Sequence, residues 1–188
     1  MSEAPPPAKP TGSSRYTWFL GVAGFLLIVV VIVNGVQTEN VRAPDEGGRL
    51  VPFAVPLADS GLEGDANVAA KDGQGDLGKV AACKVRGPEI LNICELAERG
   101  PLVLAIFPTE APRCRAVLDQ MARVSARVPG VQFAAVGSRG NRDDLRRPRP
   151  FPVGFDSDGA VASVYGLVGC PQVSFARRGG EVIETTRQ

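Results

Sequence analysis

One stretch of the sequence constrains the fold more than any other, because it joins an apolar run, a short loop and a helical pattern. The run from Leu102 to Phe107 is bounded by Pro101 and Pro108, which predicts a strand buried on both faces. From Cys114 onward, apolar residues recur at helical spacing. The stretch therefore predicts a strand, a tight loop and a helix that begins with a cysteine.

The position of Cys114 suggests chemistry. A thiol at a helix N-terminus lies at the positive end of the helix dipole, beside N–H groups without intrahelical partners. Arg113 and Arg115 flank Cys114 and add positive charge, which also favours the thiolate. Cys114 is thus a candidate reactive cysteine. The alternative is that it is a small buried residue without chemistry.

Composition narrows the possible chemistry. The 21 basic and 20 acidic side chains nearly cancel, so nothing indicates a nucleic-acid partner. The sequence has no histidine, which removes the Cys–His dyad and every histidine metal site. Any reaction must use cysteine, carboxylate, arginine or the backbone. We expect neither a metal nor a cofactor.

Residues 17–36 predict a transmembrane helix. The run Trp18–Val36 is apolar except for Asn34, and its roughly 19 residues span about 30 Å at about 1.5 Å each. The run is longer than the apolar region of a cleaved signal peptide. Lys9 and Arg15 precede it, which favours a cytoplasmic N-terminus. The expected location is the cell membrane, with the lipid bilayer as a partner and the C-terminal domain outside the cytoplasm, where disulfides persist.

The remaining segments complete the predicted organisation. The expected parts are a disordered cytoplasmic tail at 1–16, a polar tether at 37–50 and one folded domain at 51–188. Within the domain, we predict an edge strand at Val51–Leu57, a short strand at 67–70 and a buried strand at 131–137. The arginine-rich segment 137–150 favours a solvated loop or short helix over an anion site.

Cys83 and Cys94 are predicted to form a structural disulfide. The segments 80–85 and 90–94 flank a turn signal around Pro88, which predicts a hairpin. A loop centred after Pro88 places the two cysteines directly opposite each other, and opposed residues have Cα atoms about 4.5–5.5 Å apart. The alternative is two free buried cysteines, since a loop of odd length would shift the register.

Several motifs together resemble the thioredoxin-like superfamily. Val51–Leu57 is similar to the family's first strand, and Leu91–Phe107 to the segment that leads into its active-site strand. The most specific match is Phe151–Val173, which follows the family pattern F-P-V-x-x-D-x-x-G-x-x-A-x-x-Y-G-V-x-G-x-P-T. The resemblance is greatest to membrane-tethered TlpA-type thiol–disulfide oxidoreductases and AhpC/TSA redoxins. It implies an α/β fold with a mixed central sheet and flanking helices.

The resemblance also implies site residues. In the family, the proline that corresponds to Pro171 is cis and faces the active-site cysteines, which places Cys170 across from Cys114. The pair would then be a redox couple, with Cys114 attacking, Cys170 resolving, and Arg113, Arg115 and Pro171 supporting. The substrate would be a protein thiol or disulfide, or a peroxide in an antioxidant reaction. The alternative is that Cys170 merely replaces the Thr or Val usual before this proline.

The sequence departs from both family mechanisms. The Cys-x-x-Cys of the oxidoreductases becomes Ala111-Pro-Arg-Cys114, so the first cysteine is missing. The peroxiredoxin motif Pro-x-x-x-Thr-x-x-Cys is also broken, since Pro108 stands one residue too close to Cys114 and Ala111 replaces the threonine. The family's last helix has no counterpart after the final strand, so apolar surface should be exposed or covered by a partner. The alternative function is therefore a catalytically degenerate binding or assembly module at the membrane.

Overall fold

The computed structural model describes residues 14–38 and 44–187. They fall into two compact units, Met1–Asn40 and Val41–Gln188. Within the first unit, Ser14–Thr38 forms helix α1. Most of the predicted tail, residues 1–13, lies outside the described residues.

Helix α1 coincides with the predicted transmembrane segment, and its apolar side chains Trp18, Phe25 and Leu27 are 72%, 66% and 67% exposed. Within the described part of the chain, however, no helix combines the length and the apolar character needed to cross a membrane. The prediction of a transmembrane helix is therefore not confirmed.

The second unit is built on a mixed five-stranded sheet with the strand order β5–β4–β3–β6–β7. The strands are β3 Leu102–Pro108, β4 Gln132–Ser138, β5 Val153–Asp156, β6 Gln172–Ala176 and β7 Val182–Arg187. β3, β4 and β5 run parallel, whereas β6 lies antiparallel to β3 and to β7. The predicted strands at 102–107 and 131–137 are confirmed, as is the α/β fold with a mixed central sheet.

β3 occupies the centre of the sheet because both of its faces are apolar. Leu102, Leu104 and Ile106 point into one hydrophobic cluster, and Ala105 and Phe107 point into the other. Alternate residues of a strand project to opposite faces, so one apolar run supplies both cores. The flanking helices are α2 Ile93–Arg99, α3 Pro112–Ser125 and α4 Ala160–Val164. Helix α3 packs its buried residues on the cluster that contains Phe107.

A small second sheet pairs β1 Ala54–Pro56 with β2 Ile90–Asn92 in antiparallel register. The predicted edge strand at 51–57 is thus present in shortened form. Residues 67–70 form no strand, although Asn67 makes an isolated bridge to Ala54. The prediction there was wrong because a single bridge, and not a ladder, holds the segment.

The predicted hairpin around Pro88 is also wrong. Ala82–Lys84 is a 3₁₀ turn, and the chain enters α2 directly after β2. The cause is Asn92, whose side chain accepts hydrogen bonds from the N–H groups of Cys94 and Glu95 and caps the helix. Its Nδ2 also donates to the carbonyl oxygen of Ala82 at 2.8 Å. Asn92 thereby starts a helix where the hairpin required a strand.

The disulfide between Cys83 and Cys94 is nevertheless present. The two Cα atoms lie 5.4 Å apart, and the sulfur atoms are bonded. The bond joins the 3₁₀ turn to the first turn of α2 and does not cross a hairpin. The predicted pairing is therefore confirmed, although its predicted geometry is wrong.

The end of the predicted tether packs against the sheet. Residues 39–43 lie outside the described residues, but the segment that follows bonds to the outer edge of β7. Gly47 donates its N–H to Val182 at 2.9 Å, and Leu50 donates to Gly180 at 2.8 Å. Leu50 is 8% exposed and belongs to the hydrophobic core. The folded unit thus begins before residue 51, and the segment partly covers an edge strand.

One face of the sheet leaves apolar surface open. A groove of about 560 Å³ lies between α3 and strands β3, β6 and β7. Its walls include Val124, Phe175 and Ile183, which are 48%, 36% and 49% exposed. Apolar surface is thus exposed beside α3.

The arginine-rich segment binds backbone carbonyls and carboxylates of the protein itself. Arg142 lies in the 3₁₀ turn Arg142–Leu145, and its guanidinium donates to the carbonyl oxygens of Ala58 at 3.1 Å, Ser60 at 3.0 Å and Leu62 at 2.8 Å. The planar guanidinium has several donors in fixed directions, so one side chain can hold a whole loop. Arg142 thus fixes the loop that follows β1.

We predict that Arg142→Ala lowers the free energy of unfolding by about 1–3 kcal/mol, because several half-buried carbonyl groups lose a charged donor. Arg142→Lys should recover only part of this loss, since an ammonium cannot reach all the carbonyl groups. Urea unfolding of the full chain measures both effects. The exposed Arg147 provides the control, and Arg147→Ala should change stability by less than about 0.5 kcal/mol. Equal effects of the two alanine substitutions would contradict the prediction.

Candidate active site

Cys114 is held where β3 leads into α3. The helix begins at Pro112, two residues earlier than predicted, because proline fits the first helical position, where no N–H is needed. Cys114 is therefore the third residue of the helix, and its N–H donates to the carbonyl oxygen of Ala111 at 2.9 Å. Ala111 is the N-cap and supplies no side-chain acceptor. The first turn thus keeps its positive character.

Cys170 lies in the loop between α4 and β6, and the Cys170–Pro171 peptide bond is cis, as the resemblance implies. The loop is fixed from both ends. Gln172 donates from Nε2 to the carbonyl oxygen of Tyr165 at 3.1 Å, and the Tyr165 hydroxyl donates to the carbonyl oxygen of Val51 at 2.9 Å. Burial raises the pKa of Tyr165, so its hydroxyl remains a donor.

The two loops bring Cys114 and Cys170 together. Their Cα atoms lie 5.3 Å apart, their sulfur atoms are bonded, and 56 residues separate them in the sequence. Among the described residues no cysteine is free. The arrangement is a disulfide between a helix N-terminus and the residue before a cis proline.

The two cysteines differ in exposure. Cys114 is 0% exposed and lies inside the cluster that contains Phe107 and Leu118. Cys170 is only partly buried and packs at the margin of the same cluster. Of the two residues, Cys170 is thus the more exposed to solvent, and Cys114 lies in the core.

The charges beside Cys114 are unequal. Arg115 is half-buried and forms an ion pair with Asp144, which compensates its charge. Arg113 is exposed and lies on the opposite side of the cysteine in the sequence, along the apolar groove beside α3. Of the two predicted supporting arginines, Arg113 is thus the better placed to act on an approaching anion, although solvent screens its charge.

A cleft that the sequence did not predict opens beside Cys170. It has a volume of about 630 Å³, and its walls include Pro108, Arg139, Leu167 and Val168. Val168 is 82% exposed, two residues before Cys170. The sequence gives no signal for this cleft, because the exposure of Val168 is known only from the folded structure.

Arg139 stands at the cleft in an unusual backbone conformation, with a positive φ of 58°. Its N–H donates to the carbonyl oxygen of Asp156 at 2.8 Å, and its own carbonyl accepts from the Thr109 hydroxyl. The neighbouring Gly159 has no side chain, and a Cβ there would lie 2.5 Å from the guanidinium Nε. These contacts fix Arg139 at the rim of the cleft.

Asp156 stabilises the start of α4, the helix that precedes the loop of Cys170. Its carboxylate accepts hydrogen bonds from the N–H groups of Val161 at 3.2 Å and Ala162 at 3.1 Å, at the start of α4. Burial raises the pKa of this carboxyl, and the two N–H donors oppose that shift. The residue holds α4, and through it the loop that carries Cys170. Among residues 14–38 and 44–187, no three His, Cys, Asp or Glu side chains are grouped to hold a metal ion.

Comparisons with known proteins identify the fold. No protein-family model and no curated protein match this sequence. Among solved structures, a candidate thiol:disulfide interchange protein DsbE from Chlorobium tepidum aligns with a TM-score of 0.55 and 18% identity, over 77% of this chain and 86% of that one. An uncharacterised conserved protein from Geobacillus kaustophilus gives 0.56 and 14%, over 77% and 69%. A candidate protein disulfide isomerase from Bacteroides thetaiotaomicron gives 0.52 and 10%, over 76% and 79%.

These similarities, together with the mixed sheet, define a thioredoxin-like fold. At such low identity the fold is what the comparisons establish.

We predict that Ala111→Cys in a Cys170→Ser background creates a disulfide between the introduced thiol and Cys114. Residue 111 caps the helix that contains Cys114, and two cysteines spaced in this way are a known redox pair. Mass spectrometry of non-reduced peptides measures the bond. The single variant Cys170→Ser is the control, in which Cys114 should remain alkylatable after unfolding. A Cys114 that is equally alkylatable in the double variant would contradict the prediction.

Proposed function

We propose that the protein is a membrane-tethered thiol–disulfide oxidoreductase that acts outside the cytoplasm through the couple Cys114–Cys170. The observation that carries the proposal is the disulfide itself. It joins the N-terminal turn of α3 to the residue before the cis Pro171. A helix N-terminus lowers the pKa of a thiol, and the stability of its thiolate controls disulfide exchange.

The structural neighbours support this class of reaction. One is a candidate thiol:disulfide interchange protein and another a candidate protein disulfide isomerase. By extension, the substrate proposed for this chain is a protein that carries two cysteines. Oxidation of that dithiol to a disulfide would convert the Cys114–Cys170 disulfide to two thiols, so that two electrons pass to the domain.

Peroxide reduction is a narrower form of the proposal and has less support. It requires a cysteine that is oxidised to a sulfenic acid, which depends on an exposed thiolate. Cys114 is 0% exposed, and Ala111 stands where the peroxiredoxin motif has threonine. Exchange with protein thiols requires neither feature.

The second candidate function is a binding module without catalysis. Its specific support is Ala111, which replaces the first cysteine of the Cys-x-x-Cys motif. In that case the Cys114–Cys170 bond is permanent, and the apolar groove between α3 and the sheet binds a partner. The redox potential of the bond separates the two candidates.

We expect the Cys114–Cys170 disulfide to open near about −200 mV, the range of catalytic couples, because its thiolate at Cys114 is stabilised by the helix N-terminus. The full chain would be equilibrated at graded thiol potentials, alkylated and mapped by mass spectrometry. The Cys83–Cys94 bond, mapped in the same sample, is an internal reference for the extent of reduction. A Cys114–Cys170 bond that stays closed below roughly −300 mV would instead favour the binding module.

The membrane tether and the location are supported by the sequence, through the apolar run Trp18–Val36. We expect the full chain expressed in cells to remain in the membrane fraction after alkaline carbonate extraction. Arginine at Leu27 and Val30 should release it, since each buried arginine costs about 2.5–3.5 kcal/mol at the centre of a bilayer. The control replaces the same two residues by alanine. A full chain found in the carbonate supernatant would contradict the tether.

A further inference from the structure

We propose that disulfide exchange enters through Cys170, and that Cys114 is the buried sulfur that leaves. This inference rests on the proposed function and assigns the order of its steps. It reverses the roles that the family resemblance implies, in which the cysteine of the helix attacks first. The cysteine before the cis proline then carries the bond to the substrate.

The solvent exposure of the two cysteines favours attack on Cys170. Exchange requires the attacking sulfur, the attacked sulfur and the leaving sulfur to lie nearly in line, so the attacked sulfur must be open to solvent. Cys114 is 0% exposed and lies within the core cluster that α3 packs on. Cys170 is partly exposed and forms part of the wall of the 630 Å³ cleft.

The cleft gives a peptide a place to bind beside Cys170. Pro108, Leu167 and Val168 form apolar wall, and the exposed Arg139 adds a cation at its rim. A flexible segment with a cysteine between apolar and acidic residues suits these walls. Cys114, by contrast, lines neither this cleft nor the apolar groove beside α3.

The stability of the departing thiolate also favours attack on Cys170 with Cys114 as the leaving group. A disulfide breaks faster when the departing thiol has the lower pKa. Cys114 is the third residue of α3, where the helix dipole stabilises a thiolate, whereas Cys170 lies in a loop. The attack on Cys170 therefore expels the better leaving group.

The proposed exchange takes place in two steps. A substrate thiolate attacks Sγ of Cys170, the bond to Sγ of Cys114 breaks, and Cys114 leaves as a thiolate. A second substrate thiolate then attacks the substrate sulfur of the mixed disulfide and releases Cys170 as a thiolate. The substrate dithiol loses two electrons and two protons, the domain gains the two electrons, and the protons pass to water or to the new thiolates.

The first experiment uses the wild-type full chain in its oxidised form. A pulse of reduced glutathione, a small monothiol, would be quenched with acid, and the adduct located by mass spectrometry. We expect glutathione on Cys170, with Cys114 appearing as the free thiol. Glutathione on Cys114 would overturn the proposal while leaving the redox function intact.

The second experiment compares the single-cysteine forms. Cys114→Ser leaves Cys170 free, and Cys170→Ser leaves Cys114 free. We expect the Cys170 thiol to react with the aromatic disulfide DTNB at least about tenfold faster, because the reaction depends on access. Cys114→Ala repeats the test without a buried hydroxyl, in case the serine variant is unstable. Equal rates, or a faster Cys114, would overturn the order.

The outcomes separate this inference from the proposed function. If neither cysteine of the wild-type chain accepts glutathione and the bond also resists reduction below roughly −300 mV, both proposals fail. If the bond opens near about −200 mV but the adduct forms on Cys114, only the order of steps fails.

Discussion

The structure depends on the burial of β3 on both faces. A strand that supplies apolar side chains to two cores must lie at the centre of its sheet, with helices or loops on either side. Leu104 and Ile106 face one core, while Ala105 and Phe107 face the other. The chain can leave such a strand only at its end, and there it turns directly into α3. The position of Cys114 is thus a consequence of the central strand.

The same constraint explains how a site can exist without histidine. The antiparallel pairing of β6 with β3 places the start of β6 near the end of β3, where α3 begins. The loop that leads into β6, with Cys170 two residues before the strand, therefore meets the first turn of α3. In the proposed exchange, Cys114 would obtain its electrostatic support from the helix terminus, so that no neighbouring base is needed to make it a leaving group. In the same proposal, Cys170, from another part of the chain, serves as the second cysteine.

The elements predicted correctly are those whose formation depends on residues close together in the sequence. The apolar run of β3 and the helical spacing after Cys114 act over a few residues, and both elements form where expected, apart from the two-residue shift that Pro112 causes. The hairpin failed because Asn92 bonds to a turn ten residues away and to the start of α2 at once. Likewise, a run of arginines could not reveal that Arg142 would reach Leu62, 80 residues earlier. Side-chain contacts at such distances depend on the finished fold.

Because Cys114 and Cys170 are far apart in the sequence, their disulfide contributes more to the stability of the fold than the disulfide of a Cys-x-x-Cys pair would. Closing a loop of 56 residues restricts the unfolded chain and contributes about 4 kcal/mol to stability in the loop-entropy account, whereas a bond between near neighbours contributes less. By linkage, the fold favours the bond by as much as the bond favours the fold. Reduction of Cys114–Cys170 therefore weakens the link between α3 and β6 and lowers the stability of the domain. The helix terminus acts in the opposite direction, because it stabilises the thiolate that reduction releases. The balance of these two effects determines whether the bond is exchanged or kept.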